Sequence, residues 1–586
     1  AAHAASGDWR LGSDNTIDSP NPLKAYNTGA YMLFSVGYDL LVNFKTEDGT
    51  PDPDHSLATS WEISPDQKTV TFHLRQGVKW SDGQPFSSED VKWTYDTVAK
   101  NKANVLRDYV ANIASVDAPD PNTVVFHMSA PDARVLSLYV FILPKHVWQK
   151  YPIAKIHATD GPQPAVTTAP WVMQSWDVNG TTVLTQNPSW WGKDTLGTPA
   201  IKRILIINYK NKDGQLRDIK LGNLDGVLLG NGRWFNQLKG DKDVTPWSAP
   251  TAGFEEIAFN SCPPAGAGTC TGPGKDVKVQ VVQDQAIRHA LAWAIDRKAL
   301  VQTVWAGQAD PGNGIISQYF PTFYKSYEGD PDIGYAYDPA KAKQILADGG
   351  WDCSSNPCTK GGTKAEFTLL VRTTSDEQQN AAKRVRAWAA QIGIKIDLQV
   401  LTDDGINAKI YATGAKPDTY APDYDAFLWD WGGDVGTPYF NFDVLRTGSS
   451  WTDSFFSNAD YDRITKQALQ TVDDQAKSAD LLHQAERIAL EQLPYVFLAH
   501  TRQIQLTRND TWHGYVPSKD SPFGTNWLQM VTLKPGSTRC QRMSFARAQP
   551  SYCSRISGSP GEKWTARSSA TRQASGRLST SSPQPR

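Results

Sequence analysis

The order of strands and helices in the second half of the chain constrains the fold more than any other feature. FTLLV at 367–371 is a buried apolar run, residues 377–393 have the period of a helix, and IKIDLQVL at 394–401 alternates apolar and polar residues. This strand–helix–strand order is typical of a parallel α/β layer. YDAFLWDW at 424–431 predicts the next strand, so FLWDWGGDVGTP at 427–438 lies where that strand runs out into a loop.

Loops at the carboxyl ends of parallel strands are where α/β sheets bind ligands. This loop carries Asp434 directly after Gly433, with Trp429 and Trp431 a few residues earlier. The acid could serve as a fixed counter-charge for a cationic ligand or as a catalytic acid, and the rings suit a sugar-stacking platform. An ordinary turn aspartate is the structural alternative. The position of the loop favours a binding role for Asp434.

Two further helices are predicted before this region. Residues 284–307 place apolar side chains on one helical stripe that ends at Gly307. Asp338 and Pro339 supply a cap and a first-turn proline for the next helix, and the glycine pair at 349–350 closes it.

The first half of the chain predicts a small α+β unit between residues 42 and 165. Residues 61–74 alternate around a Ser-Pro-Asp turn and therefore predict a β-hairpin. Ser87 with Asp90 three residues later is a helix start signal. SVDAPDPNTVVFHM at 115–128 repeats the strand–turn–strand pattern.

Chain length and net charge limit the number of domains and the kinds of partner that can be expected. A chain of 586 residues predicts two or three domains. The net charge of −2 gives no reason to expect nucleic acid as a partner. After Gly536 there are nine basic residues and one acid, a net of +8, which leaves about −10 for the rest. Residues 536–586 are rich in Ser, Arg, Gln and Pro, which predicts a disordered tail; a foreign or frame-altered end explains them equally well.

The first residues of the chain and the lengths of its apolar runs indicate where in the cell the protein is located. The start AAHAASG has no basic or apolar leader region, and we interpret it as the stub left after signal-peptide cleavage. No N-terminal lipid-bearing cysteine is present. The longest apolar runs, such as VLSLYVFIL at 135–143, are too short to cross a bilayer.

Six cysteines lie in three close pairs. Cys262 with Cys270 and Cys353 with Cys358 flank turn-forming segments, and we predict a local disulfide for each pair. Disulfides imply an oxidising, extracytoplasmic location; free thiols in a reducing compartment are the alternative. The state of the third pair, at positions 540 and 553, stays open. The spacing lacks the paired C-x2-C or His ligands of a zinc site, so no metal and no cofactor are predicted.

Catalytic motifs are absent from the sequence. There is no GxSxG, no HExxH and no P-loop, since TGPGKD at 271–276 lacks the required glycine spacing and the final Ser or Thr. We therefore expect a protein that is not an enzyme.

Several segments in the same order resemble the family 5 extracellular solute-binding proteins, the peptide- and nickel-binding components of ABC importers. The most specific is LATSWEISPDQKTVTFHLRQGVKWSDGQPFSSEDVKWTYD within 57–96. One departure is that Thr167-Thr168-Ala169-Pro170 stands where the family usually has a G-T-G-P turn, which puts the geometry of that crossover in question. The weaker matches are YDLLV (38–42), NPSWWG (187–192), EEIAFN (255–260), AIRHALAWAIDRKAL (286–300), YDPAKAKQILADGGW (337–351) and LPYVFLAHT (493–501).

The resemblance implies an α/β (α+β) fold of the two-lobe, type II periplasmic-binding-protein kind, with an extra α+β subdomain in the first lobe. The lobes would be joined by strands that cross a hinge and would close on a ligand. The implied segments are 1–41, 166–260 and 503–535 for the first lobe, 42–165 for its inserted subdomain, 261–502 for the second lobe and 536–586 for the basic tail.

The resemblance also implies site residues. In peptide-binding members an aspartate shortly after a W-x-G or W-x-A turn pairs with the α-ammonium of the ligand, and Trp431-Gly432-Gly433-Asp434 matches that pattern. Trp429 and Trp431 are then candidate walls for ligand side chains. Tyr38 lies on a segment that often faces the cleft, although core packing is its stronger interpretation.

The function implied is an extracytoplasmic substrate-binding protein, at the cell surface or in the periplasm, that captures an oligopeptide or a similar amine-bearing solute. It would deliver the solute to the membrane permease of an ABC importer, as a monomer. The same fold could instead bind an oligosaccharide, a nickel chelate or another metabolite. An extracellular hydrolase or a sensor domain is the alternative from another class.

Overall fold

The computed structural model describes residues 6–45, 48–101, 105–416, 419–515, 523 and 526–536. The described residues up to Gly536 form one compact unit. The predicted tail, including the cysteines at 540 and 553, lies outside the described residues.

A mixed sheet of twelve strands organises the unit. The strand Tyr495–Arg508 is 14 residues long and runs through both halves of this sheet. Its first part pairs with Phe254–Phe259 and its second part with Val244–Pro250. The strands in spatial order are Lys395–Leu401, Glu366–Arg372, Ala426–Trp431, Phe254–Phe259, Tyr495–Arg508, Gly226–Val227, Asp8–Ser13, Arg203–Asn208, Thr181–Gln186 and Trp171–Ser175, with Val244–Pro250 and Ala309–Pro311 also paired to Tyr495–Arg508.

The strand–helix–strand prediction is confirmed. Glu366–Arg372 pairs in parallel with Lys395–Leu401 and also with Ala426–Trp431, and the helix Asp376–Gln391 connects the first two. The loop that follows Ala426–Trp431 therefore leaves the sheet at the carboxyl end of a parallel strand, as expected.

A separate four-stranded antiparallel sheet forms within residues 42–165. Its order is Ala58–Ile63, Thr69–Leu74, Thr123–Met128 and Ile113–Asp120, so both predicted hairpins are present. The helix Ser88–Lys100 begins with the expected reciprocal cap between Ser87 and Asp90.

One predicted helix is wrong in its extent. Residues 284–307 form two helices, Gln285–Ala294 and Arg297–Thr303, rather than one. The side chain of Asp296 accepts a 2.8 Å hydrogen bond from the backbone N–H of Ala299 and starts a new helix in the middle of the apolar stripe. The predicted helix after Asp338 is confirmed as Pro339–Asp348, with Asp338 accepting from the N–H of Lys341.

The remaining elements cover the sheets. The other α-helices are Thr28–Gly37, Lys145–Trp148, Lys193–Leu196, Lys212–Leu221, Gly232–Leu238, Val279–Val282, Asp403–Ile410, Tyr439–Asp443, Ala459–Gln470, Gln475–Gln492 and Leu528–Val531, with 3-10 turns at Pro53–His55, Val105–Val110 and Ile153–Ala158. Short strand pairs join Asn43–Phe44 to Pro51–Asp52, Thr359–Lys360 to Thr363–Lys364, and Trp512–His513 to Lys534–Pro535. None of the helices within the described ranges is long and apolar enough to span a membrane.

The segment that departs from the family turn is anchored in the core. The Thr168 hydroxyl donates a 2.7 Å hydrogen bond to Oδ2 of the buried Asp39. The indole N–H groups of Trp191 and Trp527 donate to the same carboxylate. Thr168, which stands where the family turn also has threonine, therefore completes a polar cluster between distant segments.

Candidate ligand-binding site

The loop that carries Asp434 is fixed by a close backbone approach. A Cβ atom at Gly433 would lie 2.6 Å from Cβ of Ala252 and 2.7 Å from Oδ1 of Asn441, so only glycine fits there. The Asn441 side chain also donates a 2.8 Å hydrogen bond to the Ala252 carbonyl. Gly433 thus sets the path of the loop that presents the next residue.

Asp434 is half-buried and is held by a phenol from a distant segment. The Tyr109 hydroxyl donates a 2.7 Å hydrogen bond to its Oδ1. Burial raises the pKa of Asp434 to about 6, while the Tyr109 hydrogen bond and the positive charge of Arg134 act in the opposite direction.

Tyr109 lies in the turn Val105–Val110 and is itself tightly packed. Its ring stacks on Phe440 with a centroid distance of 6.4 Å and an interplanar angle of 15°. The Arg134 guanidinium lies 5.7 Å from the ring centroid. Tyr109 could not be predicted from the sequence, because nothing in RDYV at 107–110 signals a contact 325 residues away.

Arg134 is the side chain whose positive charge acts on Asp434, but it forms its ion pairs with other residues. It pairs with Asp132 at 3.0 Å and with Asp443 at 2.9 Å, and its side chain is only 3% exposed. Within the described part of the chain, Asp434 makes no ion pair with a lysine, arginine or histidine. Among the residues that the structure describes, the carboxylate therefore has a hydrogen-bond donor and no cationic partner.

Trp431 forms a half-buried aromatic wall next to this acid. Its ring contacts Phe440 and Trp451 edge to face, with centroids 6.0 and 6.3 Å away. Its indole N–H donates a 3.3 Å hydrogen bond to the Tyr495 hydroxyl, which in turn donates to Asp453. These contacts fix the ring plane, so Trp431 is a rigid surface three residues before Asp434, and it shares the contact with Phe440 that Tyr109 makes.

Trp429 is engaged by a side chain of the protein. The Arg372 guanidinium lies 4.3 Å above its ring and also pairs with Asp430. Gln378 donates to both Asp430 and Glu255 from the same side. One face of Trp429 is thus covered, which leaves less of this ring than of Trp431 for a ligand.

Tyr38 lies in an aromatic core rather than beside Asp434. It is 4% exposed and contacts Phe34 and Phe141 with centroid distances of 5.9 and 6.4 Å. This environment agrees with core packing, the stronger interpretation from the sequence, and offers no support for a ligand contact.

Both predicted disulfides are present. Cys262 is bonded to Cys270 with Cα atoms 6.1 Å apart, and Cys353 to Cys358 with Cα atoms 4.1 Å apart. Each bridge closes a short loop and pins it locally. Across the described ranges no group of three or more His, Cys, Asp or Glu side chains is arranged to hold a metal ion.

Solved structures share this architecture at low sequence identity. The oligopeptide-binding protein AppA from Bacillus subtilis, in complex with a nonapeptide, has a TM-score of 0.75 at 19% identity and covers 90% of this chain and 99% of its own. The protein AgaA from A. tumefacien R10, in complex with agropinic acid, has a TM-score of 0.73 at 21% identity, with coverages of 91% and 99%. The chain therefore has the two-lobe fold of periplasmic binding proteins.

The fold is that of the periplasmic binding proteins, and the sequence comparison gives the family. The chain belongs to the bacterial extracellular solute-binding proteins, family 5, whose middle-region model matches residues 52–453. Members of this family are extracytoplasmic substrate-binding components of ABC importers rather than enzymes.

Curated relatives cover most of the chain. A protein from Brucella ovis, whose name assigns it to the peptide-binding proteins of ABC transporters, is 28% identical over 430 residues, which is 72% of this chain and 73% of its own. The Escherichia coli protein DdpA, whose name assigns it to the D,D-dipeptide-binding periplasmic proteins, is 24% identical over 521 residues, with coverages of 87% and 91%.

Proposed function

We propose that this protein captures oligopeptides, or similar solutes with a free amine, and that Asp434 pairs with the ligand ammonium. The observation that carries the proposal is the state of the Asp434 carboxylate. It is half-buried, it accepts a hydrogen bond from Tyr109, and within the described part of the chain it has no cationic partner. A ligand ammonium would supply the missing charge.

The energetics support this role. An ammonium enclosed between two lobes loses its water and needs a counter-charge, because a buried unpaired ion costs several kcal/mol. A charge-assisted hydrogen bond to a carboxylate contributes roughly 1.5–3 kcal/mol net. Since Tyr109 occupies only Oδ1 of Asp434, Oδ2 is the atom we assign to the ligand.

Neighbouring aromatic rings would contact the rest of the ligand. Trp431 presents a rigid half-buried ring at the end of the strand that leads into the Asp434 loop, and we assign it to the wall of the ligand site. We assign Trp429 a smaller contact with the ligand, because the Arg372 guanidinium covers one face of its ring. Gly433 acts indirectly, through the path of the loop.

The proposal also assigns the residues of the two lobes and the membrane partner of the protein. Residues 1–41, 166–260 and 503–535 would form the first lobe with the inserted subdomain 42–165, and residues 261–502 the second. The long strand Tyr495–Arg508, which spans both halves of the large sheet, would then be one of the hinge strands. We propose that the closed protein acts as a monomer and presents its ligand to the membrane permease of an ABC importer.

Calorimetry with paired ligands tests the central contact. Trialanine should bind, and N-acetyl-trialanine should bind at least about tenfold more weakly, because acetylation removes the ammonium. Asp434→Asn should weaken trialanine binding by a similar factor and leave the acetylated peptide unaffected. Asp460→Asn, at a side chain 73% exposed in a surface helix, is the matched control.

Mass spectrometry of the protein purified gently from its native source complements this test by identifying any retained solute. A retained peptide or other primary amine supports the proposal. A retained sugar or metal chelate, together with equal binding of acetylated and free trialanine, would refute it.

A further inference from the structure

A group of polar contacts joins residues 108 and 134 to residues 443–450, and we call these contacts the seam. Arg134 donates a 2.9 Å hydrogen bond from Nη1 to Oδ2 of Asp443. Asp108 lies in the turn Val105–Val110. Its Oδ2 accepts a hydrogen bond from the backbone N–H of Ser450 at 2.8 Å and another from the Ser450 hydroxyl at 2.6 Å. The seam joins the inserted subdomain to the segment assigned to the second lobe.

Each charged group of the seam also has a partner on its own side. Oδ1 of Asp443 accepts from Nε of Arg446 at 2.7 Å, while Oδ2 receives Arg134. Arg134 is held by both oxygens of Asp132, at 3.1 and 3.0 Å. Oδ1 of Asp108 lies 3.7 Å from Nε of Arg107.

Because each charged group has a partner on its own side, the free-energy cost of separating the seam is limited. Breaking a buried ion pair is expensive when it leaves a charge without a counter-charge. Here Arg134 would keep Asp132, and Asp443 would keep Arg446, so both sides stay paired after separation. The contacts can therefore be made and released without leaving an unpaired buried ion.

The seam is also continuous with the ligand site. Tyr109 follows Asp108 in the same turn, lies under the Arg134 guanidinium and donates to Asp434. The hydrogen bond from the Tyr109 hydroxyl to Asp434 is present while the seam contacts are formed. Separation of the seam would move Tyr109 away from Asp434 and break this hydrogen bond.

We propose that the seam is a releasable latch that sets the fraction of the protein in the closed, binding-competent form. The inference rests on the proposed two-lobe function for its effect on ligand binding. The latch makes no use of ligand atoms, so a change within it alters affinity chiefly by changing the closed fraction. Asp443→Asn also removes a negative charge that raises the pKa of Asp434.

Hydrogen exchange of the full-length protein without added ligand tests the latch directly. The Ser450 amide donates to Asp108, so its exchange reports whether the seam is made. In Asp443→Asn, which keeps the side-chain shape but weakens the pair with Arg134, we expect exchange of the peptide around Ser450 to be about tenfold faster. Asp96→Asn, which removes a surface pair within the helix Ser88–Lys100, is the control and should change nothing at Ser450.

The pattern of exchange separates a latch from a structural support. Exchange at Thr123–Met128 in the four-stranded sheet should stay at the wild-type rate, because the subdomain remains folded when the seam opens. Unchanged exchange at Ser450 would overturn the proposal. Faster exchange that spreads into this sheet would also overturn it, since the contacts would then maintain the fold.

Trialanine affinity provides the second arm of the test. We expect Asp443→Asn to weaken trialanine binding by about the factor by which the closed fraction falls. Faster exchange at Ser450 with unchanged affinity would overturn the link between latch and binding. If the wild-type protein binds no trialanine, the proposed function fails in this arm, whereas the ligand-free exchange measurement still decides whether the latch exists.

Discussion

The hydroxyl of Tyr109 lies 2.7 Å from Oδ1 of Asp434, although the two residues are 325 positions apart. This hydrogen bond favours the charged form of the carboxylate, because a phenol stabilises a carboxylate more than a neutral acid. The charged form is also the form that an ammonium ligand requires. The contact therefore connects the turn Val105–Val110 to the electrostatics of the proposed ligand site.

Removal of this hydroxyl should weaken the site without reshaping it. Tyr109→Phe keeps the stack on Phe440 but removes the hydrogen bond to Asp434. We expect the pKa of Asp434 to rise further and trialanine affinity near neutral pH to fall about tenfold, since hydrogen bonds to charged groups contribute roughly 1.5–3 kcal/mol. Calorimetry measures the change.

Tyr151→Phe, at a ring that packs on Trp148 within the same subdomain, is the control for Tyr109→Phe. An affinity for trialanine that is the same in both variants and in the wild type would show that the phenol of Tyr109 contributes nothing to ligand binding.

Ligand binding should depend on pH through Asp434. Because burial raises its pKa to about 6, the unliganded acid is largely protonated near pH 5 and charged near pH 7. Trialanine affinity should therefore increase as the pH rises through about 6, and binding below that pH should release a proton as the ammonium drives Asp434 into its charged form. Calorimetry in buffers of different ionisation enthalpy measures the proton count. The Asp434→Asn protein should show neither the proton release nor the rise in affinity.

The sequence predicted the local features of this site but not its long-range contacts. The position of Asp434 in the loop after a strand follows from the sequence pattern, and so does the helix start at Ser87 and Asp90, because both depend on neighbours in the chain. Tyr109 and the seam could not be predicted, because they arise where separate segments meet. The break at Asp296 was missed since the apolar period continues through it, while the capping side chain decides where a helix starts.

The basic tail should be dispensable for folding and binding. The compact unit ends at Gly536, and its last strand, Lys534–Pro535, already pairs with Trp512–His513. Truncation after Gly536 should leave the thermal unfolding midpoint and the trialanine affinity unchanged, although it removes eight net positive charges. Differential scanning fluorimetry of the full-length and shortened chains checks this expectation. A clearly lower midpoint for the shortened chain would show that the tail supports the folded unit.

The buried acid Asp453 should make stability fall as the pH rises. Asp453 is 2% exposed, and burial raises its pKa to about 7 even though Tyr495 donates a hydrogen bond to it. The nearby buried Glu256 has a pKa well above its usual value for the same reason, and within the described residues neither of its oxygens has a hydrogen-bond partner.

The sign of the effect follows from the proton count. The folded protein holds a proton on Asp453 that the unfolded chain, with a pKa of about 3.9, has already released, so the free energy of unfolding decreases between about pH 4 and pH 7. The full effect is about 4 kcal/mol at most, since each unit of pKa difference corresponds to about 1.4 kcal/mol. Above pH 7 the contribution is constant.

The difference in unfolding free energy between the wild type and Asp453→Asn isolates the contribution of Asp453 together with its interaction with Glu256, because the remaining titrating groups are shared. Urea unfolding at about pH 5 and about pH 8 should show that the wild type loses stability relative to the variant as the pH rises. Asp460→Asn, at a side chain 73% exposed that pairs with Arg463, is the control and should give the same difference at both pH values. A constant difference for Asp453→Asn as well would mean that Asp453 is charged in the folded protein throughout this range, and that its environment stabilises the charge.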